Sequence, residues 1–311
     1  MCLLYVAVAA VGLQLLAPPA AYAADNGRWS VYPAASKLGG RPYFYLSADP
    51  GSTLKDKVTV TNKADRPTTF RLYGADAYNT ARDGGFAVRT RGEKQRAVGA
   101  WVRLAKSKVT VAPGKSVTVP FSLAVPEGAE PGDHPGAIVA LDERVSGGEG
   151  DVAVGIRRAV GARVYLRVGG PTVAALAVED MRMSRTQPLV PGAGDSTAVI
   201  TYTLHNRGNV TLNPKATLRA EGLFGRTLLS RELSRVPSEL LPRQKVRLTE
   251  RWVGAPQLDW GDVTLTATAA SVRTSGSASF FALPWLAAGV LVVVLGGGGW
   301  LWVVRRRRRA S

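Results

Sequence analysis

Apolar and polar residues alternate with a two-residue period along most of this chain. In Ser116–Val125 the residues Val117, Val119, Phe121, Leu123 and Val125 alternate with Ser116, Thr118, Pro120, Ser122 and Ala124. That period puts one apolar row on a buried sheet face. The alternation recurs in Lys57–Thr61, Thr69–Tyr73, Lys108–Val111, Ala137–Leu141 and Ala162–Val168, each run bounded by Gly, Pro, Asn or Asp. Past Gly169-Gly170-Pro171 it resumes, with Ile200, Tyr202 and Leu204, then with Val263, Leu265, Ala267 and Ala269. Short alternating runs with turn residues between them predict an all-β chain of β-sandwiches. Glu130-Pro131-Gly132-Asp133 supplies turn chemistry before the strand expected at Ala137.

The two halves read as loose repeats of one plan. KVTVTNKADRP (residues 57–67) parallels VITYTLHNRGNVTLNP (199–214), and VAPGKSVTVPF (111–121) parallels LLPRQKVRLTERW (240–252). VPEGAEPGDHPGAIVAL (125–141) likewise parallels VGAPQLDWGDVTLTATA (253–269). The expectation is two tandem immunoglobulin-like β-sandwiches, residues 28–168 and 171–279, the second closing in a flexible Ser/Thr/Gly-rich juxtamembrane linker, Ser271–Ser279. Asn62 and Asn206 occupy equivalent positions, where an Asn side chain serves a turn by hydrogen-bonding to backbone.

The ends read differently. Residues 1–23 are apolar, carry no charge and finish in Ala21-Tyr22-Ala23, the pattern of a signal peptide cut after Ala23. The usual basic n-region is missing, which leaves an uncleaved anchor or a start placed too far downstream as alternatives. Phe280–Val304 is a charge-free stretch of 25 residues, about 37 Å as a helix at ~1.5 Å per residue, enough to span a bilayer core. Trp285, Trp300 and Trp302 stand near its ends, and Arg305–Arg309 open a short basic tail, residues 305–311. By the positive-inside rule the tail is cytoplasmic and the sandwiches are extracellular on a single-pass membrane protein.

Net charge is +17, of which the arginine tail holds five units. Outside a cell such a surface attracts anionic wall polymers, acidic glycans or lipid head groups, unless it is only a solvated face. No recognition helix or aromatic–basic motif points to nucleic acid. The one cysteine, Cys2, lies in the leader, so the rest of the chain has no disulfide or thiolate metal site.

Catalytic spellings fail on context. Ser52-Thr53-Leu54-Lys55 has the S-x-x-K spacing of penicillin-recognising enzymes, but it follows the turn Asp49-Pro50-Gly51, precedes a strand and lacks a K-T-G partner. His134 and His205 fall in different sandwiches with no second His or Cys nearby, which argues against zinc. Gly148-Glu149-Gly150 neither follows a strand nor opens a helix, and Asn209-Val210-Thr211 falls in a tight turn, where its glycosylation spelling reads as chance. No enzyme activity, cofactor or metal is expected.

The candidate ligand contacts are Tyr43, Tyr45, Arg82, Asp83, Trp101, Asp133 and His134. Aromatic faces beside Arg or Asp hold sugar rings, the ring face giving apolar area and the polar neighbours taking hydroxyls. Arg82 and Asp83 lie in the long polar loop Asp76–Val98, and a second long loop runs Arg144–Arg158. Trp101, at the opening of a strand, is also a natural sandwich-core residue, and His134 a turn anchor.

Three blocks, ADPGSTLKDKVTVTNKADRPTTFRLYGADA (48–77), GAWVRLAKSKVTVAPGKSVTVPF (99–121) and VPEGAEPGDHPGAIVAL (125–141), resemble the DUF916-type WxL-interacting proteins of Gram-positive cell surfaces. The order of leader, two β-domains, membrane helix and basic tail is also similar, and the Arg- and Ala-rich composition resembles an actinobacterial member. The second domain is similar to NEW3-like domains through Asn206-Arg207-Gly208-Asn209. The resemblance implies a peptidoglycan-binding first domain and a second domain that binds a surface protein. The expected function is therefore a non-enzymatic, membrane-anchored scaffold that binds peptidoglycan or an associated anionic wall polymer. The alternative is a chaperone-like assembly factor that takes an exported protein by β-strand addition.

Overall fold

The computed structural model describes residues 24–36, 39–144, 157–188, 194–282 and 285–308, without the side chains of 285–288, 291, 303 and 304. The leader expected at 1–23, Gly148-Glu149-Gly150, most of the Arg144–Arg158 loop and the end of the basic tail lie outside the described residues. In chain order the first half holds β1 (Trp29–Pro33), β2 (Phe44–Ala48), β3 (Thr53–Asn62), β4 (Thr68–Asn79), β5 (Phe86–Val88), α1 (Val98–Trp101), β6 (Val102–Leu104), β7 (Lys108–Val111), β8 (Ser116–Ala124), β9 (Gly132–Asp142) and β10 (Ala159–Val168). The second half holds β11 (Leu176–Thr186), β12 (Thr197–Asn206), β13 (Lys215–Glu221), β14 (Thr227–Glu232), β15 (Lys245–Val253), β16 (Asp259–Ala269), β17 (Val272–Ala282) and α2 (Trp285–Arg308).

These strands make two immunoglobulin-like sandwiches. The first stacks the sheet β1-β3-β8-β6 on the sheet β2-β10-β9-β4-β5, with β7 also paired to β4. The second stacks β11-β12-β15 on β14-β13-β16-β17. Each encloses its own core because alternate residues of every strand turn inward. Phe44 meets Phe121 edge to face at 5.2 Å and Trp29 packs on Phe70 at 5.3 Å in the first. Ile200, Tyr202, Leu204 and Leu218 are fully buried in the second.

At the paired Asn62 and Asn206 turns the two halves correspond atom by atom. Asn62 donates from Nδ2 to the carbonyls of Arg66 (2.8 Å) and Val111 (2.9 Å), and its Oδ1 accepts the Ala64 N–H at 3.0 Å. Asn206 donates to Val210 (2.7 Å) and Leu240 (2.9 Å) and accepts the Gly208 N–H at 3.0 Å. Both side chains are buried. The turns that follow Val111 and Leu240 also correspond. Gly114 and Arg243 occupy the same left-handed position, at φ 66° and 61°. That conformation comes without penalty to glycine and strains arginine.

Three local expectations are corrected. The turn read at Glu130–Asp133 ends earlier, and β9 already begins at Gly132, so His134 is a strand residue paired with Leu166. Pro135 is tolerated there because the β4 ladder stops at Gly136, leaving Pro135 a strand neighbour on one side only. Trp101 ends the single turn of α1 rather than opening a strand. Ser271–Ser279 is no flexible linker: it lies in β17, paired with β16 from Val272 to Ala282. Small residues at Ser275, Gly276 and Ser277 had masked an alternation that continues to the buried Phe280 and Ala282.

The same strand absorbs the first residues of the expected membrane segment. α2 starts at Trp285 and runs 24 residues to Arg308, with Gly296–Gly299 inside it. Among the described residues no helix is long and apolar enough to cross a membrane.

Replacing either buried Asn by Ala removes three hydrogen bonds and strands buried carbonyls, each costing ~1–3 kcal/mol. Asn62→Ala and Asn206→Ala should each lower stability by about 3 kcal/mol. Denaturant unfolding curves check this, and losses under about 1 kcal/mol for both would refute a pinning role.

Candidate functional site at the domain junction

The two sandwiches meet end to end through a dense polar contact. Asn79, buried at the end of β4, donates to the carbonyls of Gly84 and Glu239 at 2.7 Å each and accepts the Leu241 N–H at 2.9 Å. Across the junction Asn209 accepts the Asp133 N–H at 2.7 Å and donates to Pro131 (2.8 Å) and Pro171 (3.0 Å). Gly132 must be glycine: its φ is +117°, and a Cβ there would sit 2.2 Å from the Asn209 carbonyl oxygen. Asp133 takes Arg167 Nε on one oxygen at 2.7 Å and the Thr211 N–H on the other at 2.8 Å.

Beside this contact the outer face of β10 presents Arg163, Tyr165 and Arg167 into the cleft. Tyr45 stacks on Tyr165 with centroids 5.3 Å apart and planes 13° apart, and Tyr43 meets both rings edge-on. Arg163 lies over Phe86 at 4.2 Å and over Tyr43 at 5.7 Å. The Tyr165 hydroxyl donates to Glu239 at 2.9 Å. Burial, reinforced by the Glu239 charge, pushes this phenol up to about 12, so it stays a donor at any physiological pH. A cavity of about 490 Å³ opens here, walled by Tyr45, Leu46 and Ser47 from β2, Tyr165 from β10, Asp133 from β9 and Thr211 from the second sandwich. Tyr45 is 69% exposed at its rim.

The seven candidate residues do not form one site. Tyr43, Tyr45 and Asp133 reach the cleft, with Asp133 already engaged by Arg167 and Thr211. Trp101 packs on the first core and on the His134 ring at 4.9 Å. His134 Nε2 lies 2.8 Å from the Glu130 carbonyl oxygen. Asp83 closes its own turn, accepting from the Thr80 hydroxyl and from the Gly85 N–H at 3.0 Å, and the turn packs through Gly84 on Pro237 and Val246. The loop beyond it is tethered by Asp76, whose carboxylate accepts the N–H groups of Arg96, Ala97 and Gly99. Ser52 Oγ donates to the Asp49 carbonyl and Thr53 begins β3, so the S-x-x-K serine belongs to a turn-to-strand junction. Among the described residues no group of three His, Cys, Asp or Glu could hold a metal ion.

Tyr165, Arg163, Glu239, Asn79 and Asn209 were not foreseen. The alternation Arg163, Tyr165, Arg167 marked one face of a strand as polar and aromatic, which was a usable signal. The junction partners come from 38 to 162 residues away in sequence, at pairings such as Asn79 with Glu239, and left none.

His205 and Glu179 form a separate surface pair at 2.9 Å, joined by Arg207 and Lys245. The hydrogen bonds from His205, then Arg207 and Lys245, hold the Glu179 carboxyl at about 2 against an ordinary 4.5.

No protein-family model matches the chain, and no curated protein matches it. Among solved structures it is similar to the class 5 fimbriae chaperone CfaA, at 10% identity over 82% of this chain and 99% of that one, with a TM-score of 0.36. It is similar to the CupB2 chaperone of Pseudomonas aeruginosa at 10% identity, over 78% and 97% of the two chains, with a TM-score of 0.30. The third is the CsuC–CsuE chaperone–tip adhesion subunit complex of Acinetobacter baumannii, at 8% identity, 75% and 92% coverage and a TM-score of 0.34. Overlaps this loose carry no argument about function. The expected wall-binding scaffold is corrected on the geometry: the residues expected to hold a glycan do not converge, with Asp83 closing its own turn, Trp101 and His134 packed on each other and Asp133 engaged by Arg167 and Thr211.

Two outcomes test this geometry. Gly132→Val should separate the sandwiches, seen as a larger radius of gyration in solution scattering and as two unfolding transitions where the wild type shows one; an unchanged profile would refute the tight junction. Glu179 stays ionised in the fold down to about pH 2 but protonates near 4.5 once unfolded, so its contribution is full above about pH 4.5 and is lost as the pH falls toward 2. Glu179→Gln should therefore flatten the acid limb of the stability curve, and an acid limb identical to wild type would show the cluster to be inert.

Proposed function

We propose that this chain is a non-enzymatic, chaperone-like assembly factor, held at a membrane by α2, that binds an exported polypeptide by β-strand addition. The observation that carries the reading is the free side of β2. Among the described residues β2 pairs only with β10, so alternate N–H and C=O groups of Phe44–Ala48 face outward, a template for another strand. That open edge borders the cleft cavity lined by Tyr45, Leu46 and Ser47. An added strand gains main-chain hydrogen bonds along β2 and can seat a side chain in the cavity against the Tyr45–Tyr165 stack, the division of labour typical of strand addition. The rigid junction supports this reading by fixing the cleft without the client.

Anchoring draws on the sequence. The described part of α2 does not by itself have the length and apolarity of a span; the anchor is proposed from the full sequence of the segment, charge-free from Trp285 to Val304 before its arginines. With the tail cytoplasmic, the sandwiches face the exported side. Membership of the DUF916-type family is part of the same proposal and rests on residues 48–77, 99–121 and 125–141.

A photo-crosslinking residue at Tyr45 of the full chain, irradiated in producing cells, tests the reading. The adduct should map by mass spectrometry to an alternating apolar strand of an exported protein. Adjacent residues aim their N–H groups to opposite sides, so one of Leu46→Pro and Ser47→Pro removes an outward donor and should cut the adduct about tenfold. Adducts to folded surfaces only, or unaffected by both prolines, would overturn strand addition.

A further inference from the structure

Exposed large apolar side chains are not spread evenly over the sandwiches. Among the described residues of the β-domains and their linker they are Tyr45, Val173, Phe224, Val253, Leu258, Trp260 and Phe281. The last five all belong to one end of the second sandwich. The register shows why: Trp260 pairs with Phe281 at the finish of β17, Val253 ends β15 opposite Thr197, and the β13–β14 turn carrying Phe224 follows Glu221, which pairs with Asp262. This end is remote from the domain junction, because Asn206, Lys215, Lys245 and Val272 mark the opposite ends of the same strands.

The rim is built, not frayed. Asp259, almost fully buried, accepts the Leu223 N–H at 2.9 Å and Arg226 at 2.8 Å. This clamps the turn whose Phe224 takes φ +57°, a strained conformation for a bulky residue, and leaves its ring fully exposed. Trp260 and Phe281 are 52% and 61% exposed and hold their rings 6.3 Å apart on the outer sheet face. Leu258 is 63% exposed beside them. A clamped turn and a cross-strand aromatic pair spend apolar area on solvent unless something apolar covers them.

Chain continuity identifies the cover. β17 ends at Ala282 and α2 begins at Trp285, three peptide units that reach at most about 11 Å. The headgroup layer on each side of a bilayer is roughly 5–7 Å thick. If α2 enters a bilayer, this end of the sandwich cannot stand clear of it. We infer that Phe224, Leu258, Trp260 and Phe281 form a lipid-facing rim that seats the second sandwich on the bilayer interface, where amphipathic aromatic rings are favoured. The inference rests on the anchoring reading of α2.

The test uses the full chain with Cys2→Ser and Leu258→Cys, carrying an environment-sensitive fluorophore and reconstituted in vesicles of phosphatidylcholine and phosphatidylglycerol at 3:1. A Lys106→Cys label in the first sandwich is the control. The Leu258 label should be quenched severalfold more by headgroup-level nitroxide lipid, and severalfold less by aqueous iodide, than the Lys106 label. Trp260→Ser with Phe281→Ser, both at exposed positions, should restore iodide access. Chain that floats with the vesicles while both labels are equally open to iodide would overturn the rim and leave the anchor standing. A Leu258 label hidden from both quenchers and freed on dilution would assign the rim to a second copy instead. Failure to float would overturn the anchor and the lipid seat together.

Discussion

Two buried carboxamides hold this architecture in register. A sandwich strand that enters a turn leaves backbone carbonyls with no ladder partner, and burying them unpaired is costly. Asn62 and Asn206 meet that cost in the same way, each tying its own turn to a backbone carbonyl 49 or 34 residues away. Because each side chain is enclosed, it specifies one arrangement of the strands around it, and the apolar alternation on those strands then has one way to close. The clefts and edges of the molecule are what remains outside two cores fixed in this manner.

The junction extends the same chemistry between domains. Asn79 and Asn209 saturate backbone groups of the neighbouring sandwich as Asn62 and Asn206 saturate their own. Asp133, one of the seven candidate ligand contacts, is drawn into this task by Arg167 and the Thr211 N–H. What stays available is aromatic and backbone: the Tyr45 face and the open side of β2. Of the polar groups around it, Asp133 and the Tyr165 hydroxyl already have partners.

The fold was legible wherever side-chain period alone decides structure. Lys108–Val111 coincides with β7, and the Asn62–Asn206 correspondence could be read because a buried turn demands a side chain that both donates and accepts. Reading faltered where period is weak. Ser275, Gly276 and Ser277 hid β17, and Pro135 disguised five residues of β9 as a turn. The cleft was only half legible. Tyr43 and Tyr45 stood out as a local cluster, but their stacking partner Tyr165 lies about 120 residues on in the chain, and no local pattern encodes that meeting.

The second sandwich is also a ruler. β16 and β17 each run eleven residues from the junction end to the rim, and at ~3.4 Å per residue that is about 37 Å. With the junction stiff, the cleft is held at a set distance of roughly 40 Å from the rim, and does not sweep through a range of distances as it would on a flexible stalk. An extended segment needs about a dozen residues to reach from the rim to β2.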